Sequence, residues 1–443
     1  MTQLKSAREL AYYILFEFER NHNRIDILER RYLTNVSLSP QDRQFVKQII
    51  SGSIRYLLYL DWIIGKLYHG RLSKLLNKTK TILRLALYEI IYLDNIPEYA
   101  TVNEYVSLSK RKVNPKQGAL VNAILRNYLK QSSEFNPDKQ ITNKSDLISI
   151  KYSFPKWLVS RWTEQWGIEK TERLCIAFNR EPDFDININT VKISPDQMKI
   201  KLRDKNIEFQ KSDLFDEIFK IKNIQKLIHS ELLDEGFCSV QDESAHIPVE
   251  LLVVQDGDTV LDMCAAPGGK YIQILQKQKS ITAVAVDIDK NRLERIKENM
   301  QRLCLNNGFI IVADARNLPF KPVFNKILLD APCSGIGVIS KHPDIKWRRS
   351  DSEIQSFSNL QIELLQQAGN CLKNDGRLVY STCTIEIEEN EDITNKFLEK
   401  NFKHYKQQDP PKHYKHLQNY GYIRTFPDVN YMDGSFCAII KKI

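Results

Sequence analysis

A chain of 443 residues with 42% apolar side chains can bury real cores, and by ordinary domain size it holds roughly two to four of them. No apolar run approaches the ~20 residues of a membrane helix, and the N-terminal stretch lacks a signal peptide's apolar core and cleavage site, so a cytoplasmic protein without membrane contact is expected. The net charge of +9 is uneven: residues 1–135 hold 21 Lys/Arg against 12 Asp/Glu and the remainder balances, which suggests a nucleic-acid footprint in the first third.

Residues 1–135 read as an all-α bundle of six or seven helices. In "SARELAYYILFEFER", Leu10, Tyr13, Ile14, Phe16 and Phe18 recur at helical spacing, behind Ser6 as a cap with Glu9 three residues on. Ser39 and Pro40 open another helix, and "TKTILRLALYEIIYLDNIPEYATVNEYVSLSKRK" and "QGALVNAILRNYLK" complete the bundle. The polar "QSSEFNPDKQITNKSD" reads as a linker. A small α+β segment follows, with a strand at "DININTVKIS" and a helix at "PDQMKIKLRDKN". Its three tryptophans, Trp157, Trp162 and Trp166, read as core.

From about residue 255 the runs "DTVLDMC", "ITAVAVD", "GFIIVAD", "FNKILLDA" and "GRLVYST" alternate with helical segments. That alternation predicts a parallel sheet with helices on both faces. Between the first strand and its helix stands "CAAPGGK", where Gly268 and Gly269 let the backbone approach a ligand. It does not match a dinucleotide fingerprint. The second strand ends in Asp287, suited to ribose hydroxyls, and the third in Asp314, suited to an adenine amine. An adenosine site without a pyrophosphate fits S-adenosylmethionine better than NAD.

The eight cysteines stand singly at 175, 238, 264, 304, 333, 371, 383 and 437, with no CxxC pair, so neither a metal site nor a disulfide scaffold is expected. Two follow strand ends: Cys333 in "LLDAPCSG" and Cys383 in "LVYSTCT". Carbon 5 of cytosine is a poor nucleophile until a thiolate adds to carbon 6. An acid beside the ring, Asp330, can stabilise the developing charge, and a second thiol can help release the adduct. Cys175, Cys304, Cys371 and Cys437 read as buried and inert.

"LDMCAAPGGK", "LLDAPCSGIGVISKHPDIKWRR" and "LVYSTCT" with "EIEENE" resemble the Sun/RsmB family of bacterial 16S ribosomal RNA cytosine-5 methyltransferases. The first third is similar to the NusB-like RNA-binding bundle. The resemblance implies three parts: a NusB-like helical domain over 1–135, a linker and small α+β domain over 136–235, and an α/β Rossmann-like methyltransferase domain over 236–443. It implies S-adenosylmethionine as cofactor, held by Cys264, Ala265, Ala266, Pro267, Gly268, Gly269, Lys270, Asp287, Asp314 and Asp330. It makes Cys383 the nucleophile, Cys333 the residue that assists release, and sets Asp330 and Lys270 beside the base. The partner implied is small-subunit ribosomal RNA, bound by a monomer. Three positions depart from the family pattern: Asn187, where an arginine is usual, Asp428 and Ser435. The rival readings are the same chemistry on transfer RNA and a non-catalytic RNA-binding assembly factor. Amino methylation would require a different loop where "DAPC" stands.

Overall fold

The structure, a computed structural model, describes residues 6–34, 36–94, 96–278 and 280–443. Asn95, inside a stretch expected to be helical, and the first five residues of the stretch used to argue against a leader lie outside the described residues. The chain forms two compact units: Met1–Arg180 with Ile339–Arg349, and Glu181–Val338 with Ser350–Ile443. By compactness the helices from Pro137 to Asn179 fall in the first unit.

In the first unit the capping signals act as their chemistry dictates. Ser6 accepts the Glu9 amide at 3.3 Å and starts the helix Ala7–Asn21, which buries Leu10, Ile14 and Phe18. Ser39 accepts the Asp42 amide at 3.0 Å, with Pro40 in the first turn of Pro40–Arg55. Five further helices, Ile25–Leu33, Leu57–Leu67, Asn77–Tyr92, Glu98–Lys112 and Pro115–Lys130, complete the bundle. Charges that turn inward are paired: Arg84 with Glu19 and Asp61, and Arg8 with Glu89. Lys74, Lys78, Lys116 and Arg126 are exposed and carry part of the basic excess outward.

The segment expected to be a linker is ordered instead. It holds a turn at Ser132–Glu134, the helix Pro137–Gln140 and the start of Lys144–Lys151, the two helices capped by Asn136 and Asn143. Its polar composition concealed one anchor, Phe135, which is buried against Trp62 and Tyr128. Trp162 is core, stacked on Phe178 with ring centroids 5.6 Å apart.

Ile339–Arg349 belongs to this unit although it follows the Cys333 motif in sequence. Lys346 Nζ, fully buried, donates to the carbonyls of Arg55 at 2.7 Å and Ser153 at 2.9 Å. Trp347 Nε1 donates to the carbonyl of Ile54 at 2.8 Å, and Arg55 reaches back to that of Ser340 at 2.8 Å. Arg55 and Ile54 close a helix, so their carbonyls lack intrahelical partners and take up these side-chain donors.

The second unit holds two sheets. Strands β1 (Phe184–Ile188), β2 (Phe209–Lys211), β3 (Ile218–Ile221) and β4 (Cys238–Val240) form an antiparallel sheet in the order β2-β3-β1-β4. The larger sheet contains β5 (Thr259–Met263), β6 (Thr282–Asp287), β7 (Gly308–Val312), β8 (Phe324–Asp330), β9 (Leu372–Thr382), β10 (Tyr405–Gln408), β11 (Gln418–Asn419), β12 (Tyr422–Thr425) and β13 (Ser435–Lys442). Its order is β11-β12-β13-β9-β8-β5-β6-β7, with β10 also on β13.

The five expected strands, β5 to β9, are parallel and Rossmann-like in order. The sheet as a whole is mixed, however, because β13 pairs antiparallel with β9 and carries β10 and β12 with it. β11 and β12 are joined by a tight turn and β12 pairs antiparallel with β13, so the C-terminal strands form an antiparallel run laid against β9. Register then sets the site. Met263 lies opposite Val286 and Leu329, and Asp330 opposite Ser381, so one sheet edge collects the loops bearing Cys264, Asp287, Cys333 and Cys383.

Candidate active site

The loop after β5 is held by its neighbour strand. Cys264 and Gly268 both have positive φ, +61° and +104°, and reverse the chain into the helix Gly269–Lys277. Ala265 N–H donates to the Val286 carbonyl at 2.9 Å, and Ala266 N–H to Asp287 Oδ2 at 3.1 Å. Asp287 Oδ1 accepts the Asp289 amide at 3.0 Å, and Arg292 donates to the carbonyl of Ala266, next to Pro267. Asp287 is thus buried and shapes the loop from both oxygens, while the apolar Ile288 beside it is exposed. Burial pushes the Cys264 thiol up, which makes it a poor nucleophile. Asp314 stands further out and is ion-paired with Arg316 at 2.6 Å, which lowers its carboxyl.

Lys270 and Asp330 form the polar centre. Lys270 Nζ lies 2.7 Å from Asp330 Oδ2, and Ser381 Oγ donates to Asp330 Oδ1 at 2.8 Å. Burial opposes the charge on Lys270, but Asp330 outweighs it and holds the ammonium above its ordinary range. Beneath them Asp262, 1% exposed, has no hydrogen-bond partner at either oxygen among the described residues. Burial and then Asp330 raise its carboxyl well above the usual range.

Cys333 Sγ and Cys383 Sγ are 3.3 Å apart. Either sulfur can donate to the other, and the environment favours one direction. The hydrogen bond from Cys333 lowers the Cys383 thiol, with Lys270 adding to the effect against burial and Asp330. The same bond, with burial, raises Cys333 well above a normal thiol. Cys383 is the sulfur poised as thiolate and Cys333 the one poised as thiol. Cys383 and Lys270 also line a small cavity of about 70 Å³ with Asp242, Thr382 and Ser435.

Glu389, in the short turn Ile387–Glu389, reaches this centre from behind. Its Oε1 accepts from Ser334 N–H at 2.8 Å and from Gln361 Nε2 at 3.1 Å, while Oε2 has no hydrogen-bond partner among the described residues. Burial raises its carboxyl from 4.5 to about 7. A raised carboxyl binds its proton more tightly in the folded chain. Its contribution to stability is therefore full below the unfolded value and is lost as pH rises through the folded one. Glu389→Gln cannot titrate. Between pH 4 and pH 8 the native chain should lose about 3 kcal/mol relative to that variant, measured by denaturant unfolding at each pH.

The remaining expected residues sort plainly. Cys175, Cys371 and Cys437 are buried, whereas Cys304, expected to be buried, is exposed where its helix ends in the left-handed region at φ +59°. Asn187 is buried in β1 and bonds Gln276 at 3.3 Å, and Ser435 is buried against Thr425 at 2.8 Å. Glu217, His246 and Glu250 lie close enough to share a metal ion. Lys277 already bridges both carboxylates, and His246 Nε2 lies 3.1 Å from each. A concavity of about 630 Å³ beside Arg316, Gln366 and Lys400 is lined by none of the loop glycines or paired cysteines. Four participants escaped sequence reasoning: Asp262, Gln361, Ser381 and Glu389. Two left signals, an acid inside the apolar run "VLDM" and the acid cluster "EIEENE".

Comparison with known proteins bears on this geometry. Residues 249–441 match the family described as 16S rRNA methyltransferase RsmB/F, residues 5–130 the NusB family, and residues 154–227 the ferredoxin-like domain of RsmF/B-like methyltransferases. A Synechocystis protein named probable ribosomal RNA small subunit methyltransferase B is 32% identical over 99% of each chain. A Yersinia enterocolitica protein named ribosomal RNA small subunit methyltransferase B is 34% identical over 82% of this chain and 83% of its own. Among solved structures, a methyltransferase homologue from Pyrococcus horikoshii superposes with a TM-score of 0.59 at 27% identity, over 68% of this chain and all of that one.

Proposed function

Because this chain belongs to the RsmB/F family of 16S rRNA methyltransferases, we propose that it methylates carbon 5 of a cytosine in small-subunit ribosomal RNA through a covalent bond from Cys383 to carbon 6. The observation that carries this reading is the sulfur pair, 3.3 Å apart at two adjacent strand ends beside Lys270 and Asp330. Cys383, favoured as thiolate, adds to carbon 6, and the ring electrons move to carbon 5. Lys270 and Asp330 stabilise charge on the ring as it develops. S-adenosylmethionine supplies the electrophilic methyl group. Once carbon 5 carries both hydrogen and methyl, the hydrogen passes as a proton to water, its bonding pair restores the carbon 5–carbon 6 double bond, the carbon–sulfur bond breaks, and Cys383 departs as thiolate. Cys333 assists that second half.

The residues present fit this cofactor. Asp262 and Asp330 share one lysine, Lys270, and both buried oxygens of Asp262 are without hydrogen-bond partners among the described residues. Such an excess of carboxyl groups suits a ligand bearing a sulfonium and an ammonium. Asp287 is the group for the ribose, with Gly268 and Gly269 giving close approach. Asp287→Ala should weaken S-adenosylmethionine binding by about 1–3 kcal/mol in titration calorimetry. Unchanged affinity would remove Asp287 from the cofactor site.

RNA affinity is assigned to the NusB-like bundle, on the basic excess that Lys74, Lys78, Lys116 and Arg126 present to solvent. Replacing these four by Gln should flatten the plot of log affinity against log salt by ~0.7–0.9 for each phosphate that is no longer neutralised. A slope equal to that of the native chain would make this surface merely solvated. The function itself is tested by bisulfite sequencing of ribosomal and transfer RNA from cells with and without the protein. One protected cytosine in small-subunit RNA, lost with the protein, is expected. Loss confined to transfer RNA would move the substrate.

A further inference from the structure

The acid cluster "EIEENE" has no part in the chemistry described above, yet its Glu389 and Asn390 are both 0% exposed directly behind the cysteines. The Asn390 side chain bonds to residues on both sides of one cysteine, and that of Glu389 does so on one side directly and on the other through Gln361. Glu389 Oε1 accepts the Ser334 amide at 2.8 Å and Gln361 Nε2 at 3.1 Å. That same Gln361 nitrogen donates to the Pro332 carbonyl at 2.8 Å, so the pair holds the main chain on either side of Cys333. Asn390 Oδ1 accepts from Thr382 Oγ1 at 2.5 Å, and its Nδ2 donates to the Thr384 carbonyl at 3.0 Å, on either side of Cys383. The two loops are further tied by Ser334 Oγ and Thr384 Oγ1 at 2.9 Å, and Tyr380 on β9 donates to the Glu389 carbonyl at 2.6 Å.

We infer that Glu389 and Asn390 are the positioning residues of the two thiols: adjacent in the chain, one sets Cys333 for release of the adduct and the other sets Cys383 for its formation. This rests on the proposed division of labour between the cysteines. Two sulfurs on separate loops keep a fixed spacing only if both loops hang from one rigid part, and a buried dipeptide that closes a short turn and leads into the helix Glu391–Asn401 is such a part. Neither side chain touches a reacting atom. The carboxyl of Glu389 is also raised toward neutrality, which keeps a second negative charge away from a thiolate.

The division gives the two variants opposite kinetic signatures. With RNA substrate and S-adenosylmethionine, Glu389→Ala should form the covalent adduct within about twofold of the native rate and release it roughly tenfold more slowly. A denaturation-resistant protein–RNA band would then build up. Asn390→Ala should form the adduct roughly tenfold more slowly and accumulate none. Two isosteric variants guard against simple misfolding. Glu389→Gln keeps an acceptor for the Ser334 amide and should release the adduct near the native rate. Asn390→Asp loses the donor to the Thr384 carbonyl and should still form it slowly. Equal slowing of formation and release in both alanine variants would reduce the dipeptide to ordinary core, as would native kinetics in Asn390→Asp. Cys333→Ser serves as control. If it accumulates no adduct, the division of labour fails, whatever the Glu389 and Asn390 variants do.

Discussion

Cys383→Ser should lower single-turnover methyl transfer by roughly 10⁴-fold or more and leave no denaturation-resistant RNA species. The size follows from what the sulfur does twice. It must be a nucleophile at neutral pH, and its pairing with Cys333 and Lys270 lowers its thiol for that purpose. It must then leave as an anion, and a serine alkoxide leaves far less readily than a thiolate. Cofactor affinity should stay near native, since Cys383 lies at the end of β9 and the glycine loop follows β5. Incorporation of labelled methyl groups, run beside cofactor titration, checks both statements. Residual transfer within a hundredfold of native would remove Cys383 from the nucleophile's role.

The second large effect is of the opposite kind. Cys333→Ser should leave the first half of the reaction in place and stall the second, so that a methylated protein–RNA adduct accumulates. Serine can still hydrogen-bond to a thiolate at the distance Cys333 now occupies, 3.3 Å, so Cys383 retains much of its activation. What serine lacks is a thiol's greater acidity, on which the second half calls once Cys383 is bound to carbon and no longer shares a hydrogen bond with Cys333 as a thiolate. Turnover should fall while the trapped species rises from trace to a large fraction of enzyme on a denaturing gel. A trapped band with Cys383→Ser and none with Cys333→Ser would exchange the two roles.

Much of the site was legible because its chemistry lies at strand ends, and strand ends are visible as apolar runs stopped by Asp, Pro or Gly. Asp330, Cys333 and Cys383 came from such stops, and the parallel register that brings Asp330 opposite Ser381 follows from the alternation of strands and helices. The bundle was readable through its caps, Ser6 and Ser39. What stayed hidden depends on contacts between residues far apart in sequence. Gln361 looks like any polar residue of a long helix until its amide meets Pro332 and Glu389. Ile339–Arg349 gives no sign in its composition that Lys346 is buried among helix-end carbonyls of the first unit. The antiparallel β13 also escaped, since a buried strand reads alike in either direction. Phe135 shows the converse error, where a single aromatic outweighed a polar segment.

The most direct test of the central claim is to map the trapped species itself. Adduct from Cys333→Ser, digested with nuclease and protease, should yield one peptide containing Cys383 that carries a methylated cytidine nucleotide on its sulfur, read by tandem mass spectrometry. A nucleotide attached at any other cysteine, or an attached base without the methyl group, would contradict the account.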